Sequence, residues 1–169
     1  EGIYKVLSDA IFFNLIREDR YLLFVNGLKV SIQLTVIAAL LGVIIGLLMA
    51  VAKLTNNRIL NRIATVYTDV IRGTPSVVQL IIIYYAILGS SHLPKLLVAS
   101  IAFGVNSGAY VTELIRAGIL AVDKGQMEAA RSLGLSYYQA MRYVIVPQAI
   151  KNILPALVSE FIVLLKETA

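Results

Sequence analysis

Four long apolar stretches alternate along the chain with shorter polar ones, and this pattern predicts membrane-spanning helices. Residues 30–52 and 73–94 contain no Asp, Glu, Lys or Arg, and residues 96–120 and 150–165 carry only a few polar positions. An α-helix rises 1.5 Å per residue, so about 20 residues cross the roughly 30 Å hydrocarbon core of a bilayer. We therefore predict an all-α membrane fold with four spans.

The composition agrees with a membrane protein and narrows the chemistry. Hydrophobic residues make up 59% of the 169 residues and charged residues 15%, against roughly 45–50% and about 25% in soluble domains. The chain has no cysteine and one histidine, His92, so it offers no disulfide, no cysteine nucleophile and no histidine-rich metal site. We expect no metal site and no nucleic-acid partner, because the net charge of +5 is explained by basic residues on the cytoplasmic side.

Basic residues in the short connections predict the orientation of the spans. Residues 53–62 carry three bases and no acid, and the polar stretch at 121–147 is also basic. Cytoplasmic loops are enriched in Lys and Arg, so both segments are predicted to be cytoplasmic, with the amino end and the loop around His92 outside. Residues 1–27 mix charges with aromatic side chains and are predicted to be an interfacial segment. Residues 28–169 would then form the membrane domain.

The polar stretch at 121–147, between the third and fourth spans, predicts two short surface helices. Asp123 is a candidate N-cap of the first helix, and Gly134 stands where a C-terminal glycine ends a helix. Ser136 begins the capping-box sequence S-x-x-Q of the second helix, and Pro147 is expected to break or kink the chain. By itself the pattern fits either an amphipathic hairpin at the membrane interface or an element that docks in a groove of a partner protein.

Two Gly-x3-Gly pairs lie within predicted spans, Gly42/Gly46 and Gly104/Gly108. Small residues on one helix face allow two helix backbones to approach closely, which matters in lipid because no hydrophobic driving force brings helices together there. The pairs therefore predict specific helix packing. The alternative is that glycine is simply common in membrane helices.

The spacing within the polar stretch follows a defined pattern. Glu-Ala-Ala stands at 128–130, Gly134 follows after three residues, and Val-Ile-Val-Pro at 144–147 follows after nine more. This pattern resembles the signature loop of type I ABC-importer permeases, with valines in place of the usual isoleucine and leucine. Further segments resemble the polar-amino-acid branch of that family: RGTPSVVQL at 72–80, GAYVTELIRAGI at 108–119, GQMEAARSLG at 125–134, VPQA at 146–149 and KET at 166–168.

The resemblance implies a type I ABC permease helical bundle with a cytoplasmic coupling helix-turn-helix. Relatives have five spans and continue beyond the KET segment, so four spans are expected here and the last is expected to be missing. The implied partners are two ATPase subunits, a second permease subunit of the same or a homologous kind, an extracytoplasmic substrate-binding protein, an amino acid substrate and the lipid bilayer. The implied location is the bacterial inner membrane, with the chain crossing it several times.

The chain has no Gly-x4-Gly-Lys-Ser/Thr loop to bind nucleotide phosphates. It is therefore expected to be a transporter subunit and not an enzyme, with no catalytic residue and no cofactor of its own. ATP and Mg would bind to the partner ATPase. The function predicted is a membrane-spanning permease subunit of an ATP-driven importer for polar amino acids, which forms the pathway and couples to the ATPase by alternating access.

Three groups of residues are candidate functional sites. The ATPase-coupling group is Glu128, Ala129, Ala130, Arg131, Gly134 and Pro147. The substrate-pathway group is Glu160, Asn106, Ser107 and Gln79. The gate group, in which ion pairs are expected, is Asp69, Arg72, Glu113 and Arg116.

Alternatives stay open for several of these residues and for the function. An acid within a membrane is costly and is a functional candidate by default, but Glu160 could instead pair with Arg72, Arg116 or Lys151 to hold the bundle together. Asn106, Ser107 and Gln79 could instead form hydrogen bonds between helices. An ion channel and a structural membrane subunit without a substrate site are the competing functions. A serine protease dyad of Ser107 and His92 is disfavoured because the usual nucleophile context is absent.

Overall fold

The computed structural model describes residues 2–168, apart from the side chains of Asp9, Ile11, Leu15 and Glu18. These residues form helices joined by short connections, and no strand occurs among them. The α-helices are α1 (Gly2–Ile11), α2 (Tyr21–Leu54), α3 (Arg58–Arg72), α4 (Ser76–Ile81), α5 (Lys95–Leu120), α6 (Lys124–Ser132), α7 (Tyr137–Ala140) and α8 (Val146–Thr168). Wider π-helical turns occupy Phe12–Ile16, Ile82–Ile87 and Met141–Ile145, and a 3-10 turn occupies Arg17–Asp19. The predicted all-α fold is confirmed.

Within residues 2–168, three continuous helices are long and apolar enough to cross a membrane. They are Tyr21–Leu54, Lys95–Leu120 and Tyr137–Thr168. A fourth candidate is α3 together with the helical segment Ser76–Ile87, which meet the criteria only as a pair and are bent by 107°. Residues 2–168 thus contain three candidate spans, or four if the bent pair is one span, in agreement with the predicted fold class.

The second predicted span, residues 73–94, is helical over Ser76–Ile87 and follows a bend at Pro75. Its helical part, Ser76–Ile87, rises only about 18 Å at 1.5 Å per residue, which is too short for the hydrocarbon core. Pro75 lacks the N–H group that would continue α3, so the helix ends and the chain bends there. Ser76–Ile87 meets the length criterion only together with α3, which begins at Arg58 within the connection assigned to 53–62.

Helices α2 and α5 pack against each other along small residues. The buried residues of α2 are Thr35, Ala38, Gly42, Gly46 and Ala50. A Cβ atom added at Gly46 would lie 2.6 Å from the Cβ of Val111, and one added at Gly42 would lie 3.0 Å from the Cβ of Ser107. The first distance is shorter than real Cβ contacts and the second is shorter than most of them. The two backbones are therefore near each other because these positions lack side chains.

The second glycine pair lies on the opposite side of the same contact. A Cβ atom at Gly104 would lie 2.8 Å from the Cβ of Leu41, and one at Gly108 would lie 2.8 Å from the hydroxyl oxygen of Tyr67. Both Gly-x3-Gly pairs therefore stand where helices meet, and the predicted specific packing is confirmed for both.

The helix that begins at Tyr137 continues to Thr168, so of the break or kink predicted at Pro147 the break does not occur. A proline removes one donor, and its ring clashes with the carbonyl four residues before it. Here the π-helical turn Met141–Ile145 precedes the proline, and the N–H of Val146 bonds to the carbonyl of Met141 across that wider turn. The second predicted surface helix, from Tyr137, therefore continues without interruption into α8.

At the amino end, α1 leads through the turns at 12–19 into α2, which begins at Tyr21 and not near residue 28. Ile3, Val6 and Leu7 of α1 are exposed. Exposed apolar side chains on a short helix suit a position at a membrane interface. The division between residues 27 and 28 falls inside α2, and the interfacial role of residues 1–27 stays a prediction.

Candidate functional site

Local hydrogen bonds fix both ends of α6. At its start, the Asp123 carboxylate accepts from the N–H of Gly125 at 2.6 Å. At its end, Gly134 has a φ of +84°, and the N–H groups of Gly134 and the next residue bond to the carbonyls of Arg131 and Ala130. This is the Schellman arrangement, in which a left-handed residue lets the chain satisfy the last helix carbonyls. The predicted N-cap and helix end are confirmed.

The predicted capping box at the start of α7 is also present. The backbone N–H of Ser136 donates to the side-chain carbonyl oxygen of Gln139 at 2.8 Å. In return, the backbone N–H of Gln139 donates to the Ser136 hydroxyl at 3.3 Å. Each residue satisfies a donor of the other, which fixes where the helix begins after the turn at Gly134.

One face of α6 packs on the rest of the chain. Ala130 is only 4% exposed, and the side chain of Gln126 accepts from Gln148 of α8 at 3.2 Å. Met127 packs against a buried cluster, whose members are Val122, Ile145, Ala149 and Ile153. Ala130 was predicted to belong to the coupling surface, but its burial gives it an inward packing role.

The other face of α6 is exposed to solvent. Glu128, Ala129 and Arg131 are exposed, and Leu133, which follows the helix, is 83% exposed. The ends of α6 are fixed, so the position of Leu133 relative to the helix is fixed as well. Pro147 is exposed too, but it belongs to α8 and not to α6.

Glu160 of α8 and Ser107 of α5 lie together at a cavity of about 260 Å³. The Ser107 hydroxyl donates to a carboxylate oxygen of Glu160 at 3.0 Å. The remaining wall is apolar and includes Val43 of α2 and Phe161 of α8. Among the described residues, none of the ion pairs joins Glu160 to a base, so the alternative in which it ties the bundle to a basic residue is not what the structure contains.

Gln79 and Asn106 bond to each other and do not line that cavity. The Asn106 side chain donates to the Gln79 carbonyl oxygen at 2.9 Å, and both residues are buried. Of the predicted pathway group, the structure therefore brings Glu160 and Ser107 together at the cavity. For Gln79 and Asn106 it favours the alternative of hydrogen bonds between helices.

Glu113 is the centre of an ion-pair cluster that joins three helices. It binds Lys53 of α2 through one carboxylate oxygen and Arg116, one turn along α5, through the other at 3.0 Å. The Lys53 ammonium also donates to the hydroxyl of Thr68 on α3 at 2.8 Å. The Lys53 and Glu113 side chains are 13% and 16% exposed, so the pair is largely removed from water.

Only two of the four predicted gate residues meet in this cluster. Glu113 and Arg116 pair as expected, but Arg72 lies 5.5 Å from the ring centre of Tyr110, and Asp69 is exposed. Sequence reasoning missed Lys53, which was counted as a loop residue. The available signal was its spacing, because Lys53 follows Gly46 and Ala50 on the buried face of α2.

The described residues hold no group of three or more His, Cys, Asp or Glu side chains suited to a metal ion. The clustered polar groups instead cap helix ends, form one ion-pair cluster and face one cavity whose wall is otherwise apolar. No constellation of nucleophile, base and oxyanion donors occurs within the described residues.

Comparison with known proteins identifies relatives of one kind. Residues 42–169 match the profile of the family described as binding-protein-dependent transport system inner membrane component. A putative glutamine transport system permease protein of Rickettsia felis is 46% identical over 153 residues, covering 89% of this chain and 70% of that protein. An arginine transport system permease protein of Bacillus subtilis is 44% identical over 146 residues, covering 85% of this chain and 67% of that protein.

Solved structures agree with the fold. A crystal structure of an amino acid ABC transporter with histidines is 51% identical, has a TM-score of 0.82, and is matched over 86% of this chain and 69% of that chain. An inward-facing methionine ABC transporter has a TM-score of 0.73 at 22% identity, over 88% of this chain and 73% of that chain. The second likeness concerns the fold alone.

Proposed function

This chain belongs to the family of binding-protein-dependent transport system inner membrane components, the permease subunits of ABC importers, and on that premise we propose that it carries polar amino acids. Relatives named for glutamine, arginine and cystine support this substrate class. The permease is not itself the ATPase, which is a separate subunit in this family. The relatives favour a permease over an ion channel.

The family implies a multi-pass position in the inner membrane and partners of two kinds, an ATPase and a binding protein. The proposed assembly has two ATPase subunits, with ATP and Mg, below two permease subunits. The amino end lies outside and α6 in the cytoplasm. The excess of Lys and Arg near α6 supports this orientation.

The proposed ATPase contact is the exposed face of α6, formed by Glu128, Ala129 and Arg131 together with Leu133 and Gly134. Three features support it: capped ends that fix the helix, an exposed apolar side chain at its end, and an inner face that packs on α8. Because α6 is held in this way, a displacement of α6 by a partner on its outer face would also displace α5 and α8. This exposed, capped face of α6 is the observation that carries the proposed coupling role.

Alternating access follows from how ATP shifts the two states of the permease. Nucleotide binding can change their populations only by the difference in its affinity for them. Movement of the docked α6 displaces the cluster beneath Met127, which includes residues of α8 and the connection after α5. Helices α5 and α8 both line the Glu160 cavity. As they move, the cavity opens to alternate sides of the membrane.

Cross-linking from a single cysteine tests the coupling surface directly. The chain has no cysteine, so Ala129→Cys gives one thiol on the exposed face of α6. A photoreactive label on that thiol is expected to cross-link to the ATPase in the purified complex. Ser90→Cys, also exposed but in the connection predicted to lie outside, is the matched control and is expected to take the label without cross-linking. An intact complex without a cross-link at position 129 contradicts the proposal.

Glu160 is proposed to bind the cationic part of a substrate in the cavity. A carboxylate held in largely apolar surroundings attracts an ammonium or guanidinium group strongly, because few water molecules compete there. Ser107 orients the carboxylate through its hydrogen bond. Glu160→Gln keeps the shape and removes the charge, so arginine uptake is expected to fall much more than glutamine uptake. Equal uptake of both amino acids by the variant and the parent protein would exclude this role.

The Glu113 cluster is proposed to act as a gate element in place of the four-residue set. It ties α2 and α3 to α5, so opening the bundle between these helices requires the ion pair to break. Breaking a buried pair is costly, which makes the closed arrangement a defined state.

A further inference from the structure

The bend between α3 and α4 leaves backbone carbonyls without helical partners. Pro75 has no N–H, so it cannot bond to the carbonyl of Ile71 as a regular helix residue would. The N–H of Thr74 reaches that carbonyl only at 3.4 Å. The carbonyl of Thr74 lies between the two helices, and the N–H groups of Val78 and Gln79 bond to Pro75 instead.

The Gln79 side chain supplies the donors that the bend lacks. Its amide nitrogen donates to the carbonyl of Ile71 and to the carbonyl of Thr74 at 2.7 Å. Its amide oxygen accepts from Asn106 of α5 at 2.9 Å. A side-chain amide has two N–H groups and one oxygen, so all three functions are used. A glutamate of the same shape would place an acceptor against two carbonyls.

The same part of α5 also forms the wall of the Glu160 cavity. Asn106 is followed directly by Ser107, whose hydroxyl donates to Glu160. The hydroxyl of Tyr67 on α3 donates to the carbonyl of Val105 at 2.6 Å. Three successive residues of α5 thus connect α3, α4 and α8, and a shift of the bend relative to α5 would move Ser107.

We propose that Gln79 and Asn106 are a positioning pair, which holds the α3–α4 bend on α5 and thereby sets the shape of the Glu160 cavity. Neither residue contacts the substrate; both act through Ser107. The effect on substrate affinity rests on the proposed role of that cavity. The effect on cavity shape does not.

Two variants separate the pair from its surroundings. Asn106→Leu removes the contact to α5 and leaves the two Gln79 bonds within the bend, whereas Gln79→Glu removes both donors. Thr112→Val is the matched control, because Thr112 is also buried on α5 and its hydroxyl bonds only within that helix, to the carbonyl of Gly108. All three are made in the full-length permease and purified with its ATPase.

The first readout is the shape of the cavity, measured without substrate. Val43→Cys places the single thiol of the chain on the cavity wall, and its rate of reaction with a soluble thiol reagent reports access. Asn106→Leu is expected to change that rate, while Thr112→Val leaves it as in the parent. Equal rates in the two variants, with equal melting temperatures, would overturn the proposal.

The second readout is the affinity of the purified complex for L-arginine. Asn106→Leu is expected to weaken binding about tenfold, within the range by which residues that act indirectly on a site change its affinity, with a larger loss in Gln79→Glu and none in Thr112→Val. The double variant Asn106→Leu with Ser107→Ala is expected to lose little more than either single variant, because both act on one group. Fully additive losses contradict action through Ser107.

Glu160→Gln separates the two proposals. If it leaves arginine affinity unchanged while Asn106→Leu still alters thiol access, the substrate role of the cavity fails and the positioning pair stands. If it abolishes arginine binding while Asn106→Leu changes neither access nor affinity, the positioning pair fails and the cavity role stands.

Discussion

Gly134 shows how one backbone angle can decide where a helix ends. Its φ is +84°, and no atom lies within 4 Å of the place that a Cβ atom would occupy. The requirement for glycine is therefore conformational within this chain, because side chains other than glycine disfavour this region of φ. A partner seated on α6 would add a second, steric requirement.

A series of substitutions at Gly134 distinguishes these requirements. Asparagine tolerates the left-handed region better than valine does, so Gly134→Asn is expected to keep more ATPase stimulation than Gly134→Val, with membrane insertion unchanged in both. The backbone cost to valine is about 1–2 kcal/mol. Ser132→Ala, on the last residue of α6, is the control. ATPase stimulation that is lost equally in Asn and Val variants would mean that bulk, and not backbone angle, is what matters.

Residue-level predictions succeeded where the signal is local. Asp123, Ser136 and Gly134 each act on groups within five residues, so the sequence contains both partners side by side. Lys53 was missed because its partner Glu113 is 60 residues away along the chain. A single sequence does not say which distant acid a base will meet.

At the scale of whole helices, the close approach of α2 and α5 depends on missing side chains. A Cβ atom at Gly46 would overlap Val111, whereas Gly27 on the same helix has no atom within 4 Å of its Cβ position. The two glycines therefore make a matched pair, one at a helix contact and one away from it.

Gly46→Ala is expected to destabilise the bundle by about 1–3 kcal/mol, because overpacking forces the helices apart. Gly27→Ala is expected to be neutral or stabilising, because alanine favours a helix by about 1 kcal/mol over glycine. Adding Val111→Gly to Gly46→Ala removes the Cβ atom that the alanine would overlap and is expected to restore part of the loss. The melting temperature of the purified complex measures all three, and a Gly46→Ala protein as stable as Gly27→Ala would contradict the packing.

The Lys53–Glu113 pair makes a second prediction about helix contacts. Lys53→Met leaves the largely buried Glu113 carboxylate with Arg116 as its remaining partner, which is expected to cost about 1–3 kcal/mol. The double variant Lys53→Met with Glu113→Met removes both charges and is expected to be more stable than the single variant. Thermal unfolding of each protein in detergent checks the order. A double variant that is the less stable of the two would show that the pair itself supplies the stability.

Helix boundaries were predicted well where a span is a single helix and poorly where it is bent. The third predicted span, 96–120, corresponds to α5 almost residue for residue. The bounds of the second were predicted less well, because apolar composition does not show that its helix is one arm of a bent pair with α3. Asn57, whose side chain caps α3 by accepting from the N–H of Ile59 at 2.9 Å, was a local sign of a helix start that counting charges overlooked.

At the scale of the molecule, α5 links the proposed coupling end to the cavity. It carries Ser107 at the cavity, Glu113 in the ion-pair cluster, and Ile115 and Ile119 against the cluster under α6. A rigid helix that contacts all three sites can transmit a movement from one to the others. The overall class could be predicted because hydropathy and the Glu-Ala-Ala spacing belong to long segments, while the contacts along α5 depend on three-dimensional packing.

The most direct measurement of the central claim is amino acid uptake into liposomes that contain the full-length permease with its ATPase. With the binding protein outside, uptake of L-arginine or L-glutamine is expected to require hydrolysable ATP, and to be lost in Gly134→Val although the protein inserts. Flux of the same size without ATP, unaffected by Gly134→Val, would contradict an ATP-coupled permease and favour a passive pore.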